Sequence, residues 1–114
     1  MEDTDDLETW IIELGDEIIH KAHSAGALSL SPAESAIYDF WAVDYAVRNA
    51  GNMDILEDLR PAAAVNLAQY LRGIGYLELA SYMDGLSSAG DQCDSYYLRF
   101  KRLCEALQGA LSRA

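Results

Sequence analysis

The chain has 114 residues, half of them apolar, and a formal net charge of −11 at pH 7. This length predicts one domain over residues 1–114. The sequence has no long apolar run, and its first residues are not a basic segment followed by an apolar one, which argues against a membrane span and a signal peptide. We therefore expect a cytoplasmic protein. The charge is asymmetric: residues 1–58 carry −12 and residues 59–114 carry +1, which favours a basic partner over direct binding of nucleic acid or membrane.

The first predicted helix runs from Thr4 or Asp5 to about Ser24. Acidic residues crowd its first turn, where the helix dipole favours negative charge. One arc of this helix is apolar and comprises Leu7, Trp10, Ile11, Leu14, Ile18 and Ala22. The opposite arc is acidic and comprises Asp5, Asp6, Glu13, Asp16 and Glu17. We therefore expect an amphipathic helix with a carboxylate-covered outer face, which by default would be a solvated face and nothing more.

Two histidines follow on the same outer arc. Glu17 and His20 have the Glu-x-x-His spacing of carboxylate-bridged metal bundles, but those sites need a second such pair, which the sequence lacks. His20 and His23, three residues apart, also do not match the zinc spacing on a helix. We expect surface histidines, no metal site and no cofactor.

The second predicted helix is the centre of the fold. Ser31 and Glu34 have capping-box spacing, Pro32 suits the first helical position, and Gly51 suits the closing turn. This gives a helix of about 19 residues. Its apolar residues cover most of its circumference and comprise Ala36, Ile37, Tyr38, Phe40, Trp41, Val43, Tyr45 and Val47. Such a helix is usually buried.

Two charged residues, Asp44 and Arg48, lie among the apolar residues of this helix. Their i,i+4 spacing allows them to pair. We predict a structural ion pair at the end of the helix that holds the following turn; a functional polar site is the alternative, because perturbed buried charges also occur at active sites.

The second half of the chain predicts further helices. Residues 53–59 would form one or two helical turns, and Pro61 would be the first residue of a helix that ends around Gly73 or Gly75. A helix from about Tyr76 to Leu86 would bury three side chains, Leu79, Met83 and Leu86. Residues 87–90 are small and polar and predict a turn.

The last predicted helix starts near Asp91 or Asp94. One arc is apolar and comprises Tyr96, Phe100, Leu103, Cys104, Leu107 and Leu111, so we expect Cys104 to be a reduced core thiol. The other arc is basic and comprises Arg99, Lys101, Arg102 and Arg113; these residues are too few for a nucleic-acid stripe and should pair with acids. The predicted fold is an all-α, single-domain bundle of five to six helices around a buried central aromatic helix.

The order of several motifs resembles a small all-helical bacterial domain family that includes acidic DNA-mimic proteins. The resemblance covers roughly residues 30–100. The matching positions are Tyr38, Trp41, Asp44, Val47, the triplet Asn49-Ala50-Gly51, the run Leu71-Arg72-Gly73-Ile74-Gly75 and the run Asp94-Ser95-Tyr96-Tyr97. The turn after the central helix departs from the family's Asn-Gly-Gly-Phe pattern. Membership implies a dimer whose carboxylates take the place of DNA phosphates on a DNA-binding protein.

Known catalytic and nucleotide-binding motifs are absent from the sequence, so we predict a non-enzymatic protein. The leading hypothesis is an acidic DNA mimic that occupies the basic DNA-binding surface of a partner such as a transcription regulator. The partner-binding acidic surface would comprise Asp5, Asp6, Glu13, Asp16, Glu17, Asp54, Glu57 and Asp58. One alternative is an immunity-type inhibitor of a basic toxin such as a nuclease; another is a helical scaffold or homodimer whose acidity serves solubility.

Overall fold

The computed structural model describes residues 3–26, 30–50, 60, 62–88 and 96–113. Over these residues the chain forms five α-helices and no strand, which confirms the all-α prediction. The helices are α1 (Asp3–Ala25), α2 (Pro32–Ala50), α3 (Ala63–Gly73), α4 (Leu77–Ser88) and α5 (Tyr96–Arg113). The short helix predicted over residues 53–59 lies outside the described residues.

The capping box starts α2 as predicted. The Ser31 amide donates to Glu34 Oε1 at 2.9 Å, and the Glu34 amide donates to Ser31 Oγ at 3.1 Å. Lys21 of α1 also donates to both Glu34 carboxylate oxygens, at 3.0 and 3.1 Å. The cap therefore satisfies two backbone donors at the helix start and also ties α2 to α1.

Helix α2 packs against α1, α3 and α5, and α3 packs closely on α4. The centre of the core joins α2 to α5, where the rings of Phe40 and Phe100 lie 5.9 Å apart. Among the aromatic residues of α2, Phe40 is fully buried, Tyr38 and Trp41 are half-buried, and Tyr45 is 39% exposed. The prediction that this central aromatic helix is buried is thus not confirmed, because the side of α2 that carries Tyr45 meets solvent.

Two helix boundaries, the start of α3 and the end of α4, differ from the prediction. Helix α3 begins at Ala63, after Ala62 at the N-cap position, and the Ala63 amide donates to the carbonyl of Arg60. The predicted first residue, Pro61, lies outside the described residues. The end of α3 matches the prediction: Gly75 has φ +94°, and the Tyr76 amide donates back to Leu71 O, as in a Schellman motif.

Helix α4 continues through Ser88, so residues 87 and 88, predicted as a turn, are helical. Serine is only a moderately poor helix former, and no proline interrupts the segment. Leu79 and Met83 are buried as predicted, whereas the side chain of Leu86 lies outside the described part of the chain. Both predicted starts of the last helix, Asp91 and Asp94, also lie outside it.

Gly15, in the middle of α1, lies against the Trp41 ring of α2. A Cβ atom built on Gly15 would lie 2.4 Å from Cδ1 of Trp41. A glycine inside a helix costs about 1 kcal/mol relative to alanine. Here the missing side chain makes room for the Trp41 ring against the backbone of α1.

We expect Gly15→Ala to lower the free energy of unfolding by about 1–3 kcal/mol, because overpacking against Trp41 outweighs the better helix propensity of alanine. Urea denaturation followed by circular dichroism measures the change. Gly73→Ala is the matched control, since a Cβ there would meet nothing within 4 Å, and it should be neutral or stabilising. A stabilising Gly15→Ala variant would contradict the close approach.

Candidate partner-binding surface

The outer side of α1 carries four exposed carboxylates, Asp6, Glu13, Asp16 and Glu17; we call these four residues the acidic face. They lie within one arc of the helix and extend over about 16 Å of its length, at ~1.5 Å per residue. Within the described residues, none of the four forms an ion pair. The predicted amphipathic helix is therefore present, with its acids in solvent.

The remaining predicted acidic residues cannot be placed relative to this face. The side chain of Asp5 and all of Asp54, Glu57 and Asp58 lie outside the described residues. The structure therefore brings together four of the eight residues predicted to bind a partner.

Other acids of the amino-terminal half are compensated by basic groups. Glu34 pairs with Lys21 at 3.0 Å, and Asp39 pairs with Arg60 at 2.5 Å. The hydrogen bond from the Ser31 amide, followed by the contact with Lys21, lowers the pKa of Glu34. In the part of the chain that the structure describes, the uncompensated negative charge is thus concentrated on α1.

Asp44 and Arg48 form the ion pair that their spacing predicts. Arg48 Nε donates to both oxygens of Asp44 at 2.9 Å, and the hydroxyl of Tyr96 in α5 donates to Asp44 Oδ1 at 2.7 Å. Arg48 also lies 3.4 Å from Glu8 of α1 and stacks over the ring of Phe100 at 4.6 Å. The cluster joins α1, α2 and α5, and this supports the structural interpretation of the pair.

Burial governs the titration of this cluster. Asp44 is only 5% exposed. Desolvation raises the pKa of Asp44 despite the opposing hydrogen bonds from Tyr96 and Arg48. Burial, together with the neighbouring Asp44 carboxylate, holds the pKa of Tyr96 well above its ordinary value. Tyr96 is therefore a stable donor to Asp44, because its hydroxyl keeps its proton at any physiological pH.

Sequence reasoning missed a second buried carboxylate, Asp39, which is 3% exposed. It pairs with Arg60, whose guanidinium lies 3.9 Å from the centroid of the Tyr38 ring. Desolvation raises the pKa of Asp39 to about 6, against the lowering effect of Arg60. No sequence pattern links the two partners, which lie 21 positions apart.

A pocket of about 280 Å³ opens between α1 and α2, next to the acidic face. Its lining includes Ile12 and Asp16 of α1 and Trp41, Asp44, Tyr45 and Arg48 of α2. Ile12 is 51% exposed and Tyr45 39% exposed, so the mouth is partly apolar. Sequence reasoning did not find this pocket, because its lining comes from two helices that meet only in the folded chain.

The basic residues of the carboxy-terminal half are largely paired. Arg102 lies 2.5 Å and Arg99 3.8 Å from Glu78 of α4, and Arg72 lies 2.6 Å from Asp84. The predicted pairing of these basic residues with acids is confirmed for Arg99 and Arg102, whereas the side chain of Arg113 lies outside the described residues.

The described thiol is buried, and the two histidines lie on the surface. Cys104 is a free, buried thiol, and burial raises its pKa, as expected of a core cysteine; Cys93 lies outside the described residues. His20 and His23 are exposed. No group of three or more His, Cys, Asp and Glu is placed to hold a metal ion among the residues that the structure covers, and none of the described helices combines the length and apolarity needed to cross a membrane.

Comparison of the chain with protein families, with curated proteins and with solved structures finds no match.

Proposed function

We propose that this protein is a non-enzymatic, acidic interaction protein of the bacterial cytoplasm whose acidic face occupies the basic DNA-binding surface of another protein, such as a transcription regulator. The observation that carries the proposal is the exposure of Asp6, Glu13, Asp16 and Glu17 on one side of α1 without a basic partner among the described residues. Elsewhere in the amino-terminal half, described acids are neutralised inside the fold.

The charge density of the acidic face supports a DNA-mimic role. Four carboxylates over about 16 Å of helix give roughly one charge per 4–5 Å, whereas each DNA strand carries one phosphate per about 3.4 Å of axis. A protein surface built to contact consecutive phosphates would meet a similar row of negative charge. Binding of this kind weakens steeply as salt rises, because the counterions released on contact are then more concentrated in solution.

The experiment first isolates a partner. The protein is immobilised at low salt, a bacterial lysate is passed over it, and a salt step elutes bound proteins for identification by mass. The purified partner is then titrated with the protein across a salt series and in the presence of duplex DNA. We expect affinity to fall with salt and DNA to compete. Binding that is indifferent to both would contradict the proposal.

Neutralising the acidic face is the sharper test. The triple variant Glu13→Gln, Asp16→Asn and Glu17→Gln keeps side-chain size and removes three charges, so we expect affinity for the partner to fall by about tenfold or more at low salt. Isothermal titration calorimetry measures the change. The salt dependence of binding should flatten in parallel, because fewer charges are engaged.

A matched control removes three acids elsewhere: Glu78→Gln, Asp84→Asn and Glu105→Gln. All three positions are exposed, and exposed ion pairs contribute only about 0–1 kcal/mol to stability. This variant should bind the partner within about twofold of the wild type, since the same net charge is lost from a different surface. Equal losses in both triple variants would show that net charge alone matters.

The identity of the partner separates the competing hypotheses. A captured regulator whose operator binding is blocked favours the DNA-mimic role. A captured nuclease whose cleavage of plasmid DNA is inhibited favours an immunity role. Sedimentation of a homodimer, with no salt-sensitive partner and no effect of the triple variant, favours a scaffold.

A further inference from the structure

The pocket between α1 and α2 shares a residue with the acidic face. Asp16 belongs to both, because it stands at the edge of the acidic arc and also lines the cavity. A partner lying along α1 would therefore pass the mouth of this pocket. The cavity has a volume of about 280 Å³. This volume can hold one long side chain, but it is too small for a helix or strand of the partner.

The charge around the cavity favours a cation. Among the described lining residues, Arg48 is the one basic side chain. Its guanidinium is already bonded to Asp44, close to Glu8 and stacked on Phe100. Two carboxylates thus face that guanidinium, and Asp16 adds a third at the mouth. An incoming anion would meet excess negative charge, whereas an incoming cation would find an exposed carboxylate in Asp16.

The aromatic lining favours a planar cation. The rings of Trp41 and Tyr45 lie 5.6 Å apart at an interplanar angle of 32°. The Trp41 ring lies against the backbone of α1 at Gly15, so the packing of α1 on α2 fixes the position of this ring. A guanidinium stacks on aromatic rings and binds a carboxylate through two donors at once, which a compact ammonium cannot do.

We propose that the pocket between α1 and α2 is a socket for one arginine side chain of the partner, with the guanidinium on the Trp41 and Tyr45 rings and paired with Asp16. This inference rests on the proposed function and deepens it: the acidic face supplies attraction along the surface, and the socket supplies an anchor at one position. Interfaces commonly concentrate their binding energy in such a buried arginine or aromatic contact.

The direct test does not need the partner. N-acetyl-arginine amide is titrated into ¹⁵N-labelled protein and compared with N-acetyl-citrulline amide, which has nearly the same shape without charge. We expect saturable shifts centred on Ile12, Trp41 and Tyr45 with the arginine compound, and weak, non-saturating shifts with the citrulline compound. Equal responses to both, absence of a saturable shift, or tighter binding of inorganic phosphate would overturn the proposal.

Variants at exposed positions test the socket without risk to the core. Tyr45→Ser and Asp16→Asn should each weaken binding of the arginine compound about three- to fivefold, as expected for an exposed cation–π contact or ion pair. Tyr76→Ser is the matched control for Tyr45→Ser, because Tyr76 is 38% exposed and Tyr45 39%. Glu105→Gln is the control for Asp16→Asn. A loss in either control as large as in its counterpart would count against the socket.

Failure of the socket can be distinguished from failure of the proposed function. If Tyr45→Ser binds the partner as tightly as Tyr76→Ser while Glu13→Gln with Glu17→Gln still weakens a salt-sensitive complex, the socket is wrong and the proposed function stands. If the arginine compound binds in the pocket but the affinity for the partner does not change with salt or added DNA, the socket stands and the proposed function is wrong.

Discussion

Replacing Asp44 with alanine is expected to lower the free energy of unfolding by about 3–5 kcal/mol, the range for removing one partner of a buried ion pair. The variant would remove the Asp44 oxygen that accepts the hydrogen bond from the fully buried Tyr96 hydroxyl. It would also remove the two carboxylate oxygens that accept from Arg48. Urea denaturation at pH 7, followed by far-ultraviolet circular dichroism, measures the loss.

Asp84→Ala is the matched control for this prediction. Asp84 also pairs with an arginine, at 2.6 Å from Arg72, but both side chains are about half-exposed. Solvent screens such a pair, so we expect a loss below about 1 kcal/mol. Comparable losses in Asp44→Ala and Asp84→Ala would show that burial does not strengthen the Asp44 cluster.

A double-mutant cycle can measure the interaction energy between Tyr96 and Asp44. Tyr96→Phe removes only the hydroxyl that donates to Asp44, and it should cost about 1–2 kcal/mol. Combining Tyr96→Phe with Asp44→Ala should cost less than the sum of the two single changes, because the two side chains contact each other.

The contribution of Asp39 to stability is expected to fall as pH rises from about 4 to about 7. Its pKa is raised from 3.8 to about 6 in the folded chain. Between these values the folded protein keeps a proton that the unfolded chain has lost, so the contribution of Asp39 is fully present below pH ~4 and is lost as pH passes through ~6. The loss amounts to about 3 kcal/mol at 1.36 kcal/mol per pKa unit.

The variant Asp39→Asn isolates this effect, because asparagine cannot ionise but can still accept from Arg60. We expect its stability relative to the wild type to improve by about 2–3 kcal/mol between pH 4 and pH 7. Asp84→Asn, at a half-exposed carboxylate, corrects for the change in net charge. Parallel pH profiles for Asp39→Asn and the wild type would mean that the ion pair with Arg60 keeps Asp39 ionised throughout. The ¹³C shift of the Asp39 carboxyl should titrate near pH 6 in the intact protein.

Local chemistry was enough to predict much of the architecture. The start of α2 at Pro32 follows from Ser31 and Glu34, which satisfy each other's backbone donors within four residues. The end of α3 near Gly75 follows from the positive φ that glycine adopts without strain. The i,i+4 pair of Asp44 and Arg48 and the exposed acidic arc of α1 follow from helical geometry in the same way. Interactions of this range are encoded within one or two helical turns.

Contacts between helices could be identified only from the tertiary structure. Nothing in the sequence connects Asp39 to Arg60, Asp44 to Tyr96, or Gly15 to Trp41, because each pair is joined only when two distant segments pack. For the same reason the periodicity of α2 overstated its burial: a helical wheel shows which residues are apolar, but neighbouring helices decide which of them are covered, and Tyr45 is left in solvent. The exposed Tyr45, together with residues of α1, lines the pocket beside the acidic face. Sequence alone thus accounts for the acidic surface of α1, and the tertiary structure for the pocket next to it, since charge patterns are local and cavities depend on how helices meet.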